Sequence, residues 1–175
     1  MPKPESDFDA LRDDLRQVYD GDPWHGSSIT AILNGIDAET AARRLIPNGH
    51  TIWELVLHMT GWTREVASRV RGADAKDVAE DWPQQPTKTT EHEWRAAKNE
   101  LRTAHQDLMK AVDALKPTDL VRMVGDQRTP SAGTGKTVGS HIRGILQHHT
   151  YHQGQIAQLK KAANSQFPRE HARGR

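Results

Sequence analysis

Thr90-Glu91-His92-Glu93-Trp94-Arg95-Ala96-Ala97-Lys98-Asn99-Glu100-Leu101-Arg102-Thr103-Ala104-His105-Gln106-Asp107-Leu108-Met109-Lys110-Ala111-Val112-Asp113-Ala114-Leu115 reads as one long helix. Trp94, Ala97, Leu101, Ala104, Leu108, Ala111 and Leu115 recur at alternating steps of three and four, which gathers them on one face. Thr90 and Glu93 have capping-box spacing: the hydroxyl can accept from the third amide while the carboxylate reaches back to the Thr90 amide. Pro117 marks the stop. A helix of this length suits the wall of a bundle, and the chain reads as all-α.

Outward from this element the same signals recur. Upstream, Thr51 and Glu54 form a second capping box ahead of Ile52, Leu55, Val56, Met59, Val66 and Val70, a helix expected to end near Gly72. Residues 73–89 hold Asp74, Asp77, Pro83 and Pro86 and follow neither period, so a long crossover is expected between the second and third helices. Such a connection lets the two run parallel, where a tight turn would force them antiparallel. Phe8, Leu11, Leu15 and Val18 make the first helix, with Ser6 or Asp7 as its cap. Gly21, Asp22 and Pro23 split it from a further turn or two at Ile29, Ile32, Leu33 and Ile36. After a Gly/Pro/Ser-rich loop over 125–135, a fourth helix starts at Thr137 with Val138, Ile142, Ile145, Leu146, Ile156 and Leu159 inward, and Lys160 and Lys161 complementing its dipole. The expected architecture is a four-helix bundle with a long helix 2 to helix 3 crossover. Residues 1–163 are expected to form one domain and residues 164–175 a flexible C-terminal tail.

Composition narrows the function. At 175 residues one core is the default, and 24 basic against 23 acidic side chains give +1, no field to gather a nucleic acid. The chain has no cysteine, so disulfides, thiolate ligands and a cysteine nucleophile are absent; any thiol must arrive as substrate. No apolar run reaches the roughly 18 residues that span a bilayer, and the N-terminus lacks a signal-peptide core, so a cytoplasmic location is expected.

The fourth helix carries His148, His149 and His152 on a segment otherwise built for burial. Neutral imidazoles are costly to bury unless their nitrogens find partners, and a metal ion satisfies one lone pair on each ring. His148 and His152 point within about 40° of each other, close enough to share an ion, though His149 and His152 could share a face as well. His58, between Leu55 and Trp62 at mid-helix, is the natural third ligand from across the core.

His148 with Tyr151-His152-Gln153-Gly154-Gln155-Ile156, together with Ile52-Trp53-Glu54-Leu55-Val56-Leu57-His58, resembles the two signature helices of the DinB/YfiT-like superfamily. The resemblance runs from about Trp24 to Ala162. It implies a four-helix bundle, a divalent metal site on His58, His148 and His152 in preference to His149, and a homodimer. Characterised members include metal-dependent thiol S-transferases and a mycothiol-dependent isomerase, while many members have no assigned reaction.

Three neutral ligands leave the ion's charge uncompensated and positions open, which lowers a bound water's pKa toward roughly 7 and would equally bind a thiol as thiolate. The nucleophile is therefore read as metal-bound water or thiolate. Zinc or nickel is the expected ion, with a low-molecular-weight thiol as possible co-substrate. From Thr137 to Ala163 there is no Asp or Glu, which disfavours a di-iron carboxylate site. Glu54, one turn before His58, reads as a cap ahead of a base. Trp24-His25-Gly26 resembles a stretch near the metal pocket of related proteins, yet packing is the preferred role for Trp24. Tyr151 reads as packing or dimer contact, and His25, His50, His92, His105 and His141 as surface or capping groups, with His105 on the core side. Two functions follow: a transferase or hydrolase acting on a small molecule, or a non-catalytic metal-binding bundle in stress response or protein interaction.

Overall fold

A computed structural model describes residues 6–73, 80–125 and 135–166. The order is α1 (Asp7–Asp20), α2 (Ile29–Leu33), α3 (Ala38–Ala42), α4 (Ile52–Val70), α5 (Glu91–Asp113), a 3-10 turn (Pro117–Val121), β1 (Met123–Val124), β2 (Lys136–Thr137) and α6 (Val138–Gln166). The fold is all-α apart from the β1–β2 ribbon, which pairs antiparallel with Met123 opposite Thr137. Two-residue strands are too short to carry a period of two, so they left no sequence signal. Of the loop expected over 125–135, residues 126–134 lie outside the described residues, as do residues 74–79 of the crossover and 167–175 of the expected tail. α6 itself runs on to Gln166.

Helix ends form where local chemistry places them. Ser6 Oγ accepts from the Asp9 amide at 3.2 Å. Both capping boxes close: the Glu54 amide donates to Thr51 Oγ1 at 3.1 Å and the Thr51 amide to Glu54 Oε2 at 2.9 Å, with 3.3 and 3.1 Å for the Thr90–Glu93 box. α4 stops in a Schellman turn, where Gly72 takes φ 99°, its amide donating to Arg69 O and the Ala73 amide to Ser68 O. Lys160, expected to serve the α6 dipole, instead donates to Ile32 O at 2.8 Å and Asn34 O at 2.7 Å, fastening the end of α2 to α6.

Trp53 meets Trp94 at 5.1 Å, Arg64 pairs with Glu100 at 3.0 Å, and Arg71 donates to Asp107 O at 3.2 Å. These contacts advance together along both helices, so α4 and α5 lie parallel. The core has two apolar halves. One packs Trp53, Met59, Trp94 and Leu101 with Ile29, Leu33 and Ile156; the other packs Leu11, Leu15, Val70, Leu108 and Ile142. Between them lies a belt of histidines: His58 on α4, His105 on α5, and His148, His149 and His152 on α6.

Candidate metal centre

His58, His148 and His152 come together across the α4–α6 contact, with one ligand-capable atom from each lying within 4.8 Å of the others. His148 Nε2 stands 2.9 Å from His58 Nε2 and 3.1 Å from His152 Nε2. Nitrogens about 2.0–2.1 Å from one ion stand roughly 3 Å apart, so this spacing is that of a shared ligand set.

The opposite ring nitrogens decide where the protons are. His58 Nδ1 donates to the Asp81 main-chain oxygen at 2.5 Å, and His152 Nδ1 donates to Gln155 Oε1 at 2.6 Å. Each acceptor can only receive, so both rings are Nδ1–H tautomers with an Nε2 lone pair aimed inward. A proton on His148 Nε2 could bridge only one of its two contacts, whereas a cation satisfies all three lone pairs. Among the described residues, the buried His148 Nδ1 has no hydrogen-bond partner.

Burial, joined by the neighbouring His152 and His58, drives the His148 pKa down to about 3. Burial also lowers His58, against the opposing pull of Asp81, and lowers His152, against the Gln155 hydrogen bond. All three rings are therefore neutral at pH 7, the form that ligates.

The triad lines a cleft of about 670 Å³, walled by Trp62, Trp82, Val66 and Ile145. Gly144 borders it, and a Cβ there would meet nothing within 4 Å, so the missing side chain keeps this stretch of the cleft clear. Trp82 stacks on His58 at 3.8 Å and 2°, and its ring also stacks with His50 at 3.5 Å. The Asp81 carboxylate accepts from Trp62 Nε1 at 2.7 Å. Asp81 and Trp82 were missed by sequence reasoning. The available signal was a tryptophan in an otherwise polar, proline-flanked crossover, which needs something to pack against.

Glu54 is committed elsewhere. Oε1 takes the Arg44 guanidinium at 2.6 Å and Oε2 the Thr51 amide at 2.9 Å. Burial works to raise its pKa, but the Thr51 amide and Arg44 outweigh it and the net shift is downward.

Several expectations are corrected. Trp24 does not pack: it is 96% exposed, beside a second cleft lined also by His25 and Tyr151. Tyr151 is likewise exposed, not packed, and its ring lies 5.0 Å from that of His152 at the edge of the histidine cleft. His141 is buried, not a surface group, and His105, expected on the core side of its helix, is buried there. His105 stacks on Tyr19 at 4.0 Å because the inward face of α5 meets α1 there. His50 is half-buried under Trp82, while His25 and His92 are exposed as expected. His149 points into the core, fully buried, with Nε2 3.0 Å from Thr63 Oγ1.

Fold and site together define a helical protein with a histidine triad facing an open cleft. The sequence profile of the DinB superfamily matches residues 24–156, and the chain belongs to that superfamily. No curated protein and no solved structure matches the chain significantly. Among the described residues, no helix is long and apolar enough to cross a membrane.

Proposed function

We propose that the chain is a metal-dependent enzyme in which His58, His148 and His152 hold one divalent ion, zinc or nickel. The carrying observation is the convergence of three Nε2 atoms at 2.9 and 3.1 Å while acceptors hold the protons of His58 and His152 on Nδ1. Such an ion supplies Lewis acidity, which lets water or a thiol lose its proton near neutral pH. The reaction is thiol S-transfer from a low-molecular-weight thiol to a small electrophile, or hydrolysis.

The chain's own residues do the positioning. Asp81 and Gln155 fix two ring tautomers, Trp82 holds the His58 plane, and Trp62 and Ile145 wall the cleft so that a small molecule meets the triad with part of its water removed. The architecture is read as the superfamily's four-helix bundle with a helix 2 to helix 3 crossover, which the parallel α4 and α5 support. The protein is further read as a cytoplasmic homodimer. A non-catalytic metal-binding bundle is the second reading; it needs no open cleft, and the 670 Å³ beside the triad favours the enzyme.

The test is a turnover screen of the metal-loaded protein with glutathione, mycothiol and bacillithiol against small electrophiles, repeated with Gly144→Leu. The expected result is activity with one thiol or by hydrolysis, reduced at least tenfold when the leucine fills the cleft while metal content stays unchanged. Metal-loaded protein that is inert throughout, or turnover indifferent to Gly144→Leu, would favour the non-catalytic reading.

A further inference from the structure

The segment over residues 21–28, which joins α1 to α2, is fixed at several points. The Asp22 amide donates to Gln17 Oε1 at 2.8 Å, the Gly26 amide donates to Pro23 O at 3.1 Å, and Gln153 on α6 donates through Nε2 to Ser27 O. Pro23 and Ser28 are buried. Trp24, held between these anchors, is nonetheless 96% exposed. A pinned segment that turns a tryptophan outward keeps a large apolar face in water, and an outward aromatic of this kind marks a contact surface.

That face borders a groove of about 850 Å³ between α1 and α6. Leu146 and Thr150 line it from α6 and Gln17 from α1, and Tyr151, 64% exposed, stands at the rim that the groove shares with the histidine cleft. The carboxylates that line it are Asp13, Asp14 and Asp22, and His25 is the one basic side chain beside them. Asp13 accepts from Gln17 Nε2 at 3.4 Å, and among the described residues none of the three carboxylates is ion-paired. The arginines of α1 are engaged elsewhere: Arg16 pairs with Asp113 of α5 at 2.6 Å, and Arg12 with Asp9 at 2.9 Å. α1 therefore carries Arg16 toward α5 while Asp13 and Asp14 border the groove on the α6 side.

We propose that this groove binds a small organic cation, an alkylated ammonium whose head rests on the Trp24 face beside Asp14 and Asp22. The aromatic face and the carboxylates select the same ligand. An indole face attracts a positive charge within about 6 Å of its centre, and the surrounding carboxylates repel anions. Alkyl groups on the nitrogen matter because a weakly hydrated cation gives up little water to lie on an aromatic ring, whereas a metal ion would keep its water shell. The groove also has the size of a small-molecule site, roughly 300–1,000 Å³. The proposal concerns a place distinct from the triad and holds whether or not an ion is bound there.

The test titrates the full-length protein with choline and with 3,3-dimethylbutan-1-ol, a neutral molecule of the same shape with carbon in place of the charged nitrogen. Binding is read from ligand line broadening by NMR. Choline is expected to bind at least about tenfold more tightly than the alcohol. Trp24→Ala should weaken choline about fivefold or more, whereas Trp24→Phe, which keeps an aromatic face, should cost less than about threefold. Asp14→Asn combined with Asp22→Asn should weaken choline and leave the alcohol unchanged. All these positions are exposed, and an unaltered circular dichroism spectrum confirms that each variant folds. Equal affinities for the two probes, absence of choline binding, or choline binding indifferent to Trp24→Ala would overturn the site. Metal content, measured separately on the same samples, keeps that failure distinct from a failure of the metal centre.

Discussion

His148 and His149 follow one another on α6, yet the helix turns them about 100° apart, so one faces the cleft and the other the core. On the cleft side, Asp81 and Gln155 hold protons on Nδ1 of His58 and His152, leaving Nε2 pairs that converge on His148. On the core side the pattern reverses. Thr63 Oγ1 donates its one proton to Met59 O at 2.6 Å, so it can only accept from His149, which is therefore the Nε2–H tautomer. The atom that would ligate in one setting is a hydrogen-bond donor in the other. A histidine's role is thus set by which nitrogen its surroundings leave without a proton, and neighbours in sequence can fall on opposite sides of that choice.

The sharpest way to separate the two regions is to remove the inner ring alone. His149→Ala opens a cavity in fully packed surroundings and leaves Thr63 short of a partner, and it is expected to cost about 3 kcal/mol of folding stability. Metal content should be unchanged. Chemical denaturation measures the first and elemental analysis the second; loss of metal in this variant would merge the two regions into one site.

Acid probes the inner region through His105. Burial lowers its pKa from 6.5 to about 4, against a weaker opposing pull from Asp20. A base depressed in the folded state is protonated first in the unfolded chain, so stability is full above pH 6.5 and falls as pH drops toward 4. At about 1.4 kcal/mol per pH unit the loss from this ring is at most of order 3 kcal/mol. His105→Phe, which keeps a ring against Tyr19, should reduce the acid slope over that window by this share, while the other buried rings such as His148 and His149 keep theirs; an unchanged slope would assign the acid sensitivity wholly to them.

The smallest effect tests the proton bookkeeping on the cleft side. Gln155→Ala removes the acceptor that holds His152 in its ligating tautomer, and it should weaken metal affinity by roughly 10–100-fold with little change in apoprotein stability. Competition with a chelator of known affinity reads this directly, and unaltered affinity would deny Gln155 its role.

The helical framework and the outward triad were legible because both are written locally. Thr51–Glu54 and Thr90–Glu93 close their capping boxes over three residues, and His148 and His152 share a face by the pitch of one helix. His58 was legible because it borders the apolar stripe of its own helix. What was not legible lies between elements. Asp81 and Trp82 reach His58 from a crossover, 23 and 24 positions away, where no period links them. The burial of His141, the reversed tautomer of His149, and the exposure of Trp24 depend on which face of a neighbour arrives, and no spacing within a segment encodes that.

The central claim is that one ion is shared by His58, His148 and His152, and elemental analysis of the purified wild type beside His148→Ala and His149→Ala tests it most directly. The account predicts about one divalent ion per chain in the wild type and in His149→Ala, and less than a tenth of that in His148→Ala. Full metal content in His148→Ala, or none in the wild type after loading with zinc or nickel, would contradict it.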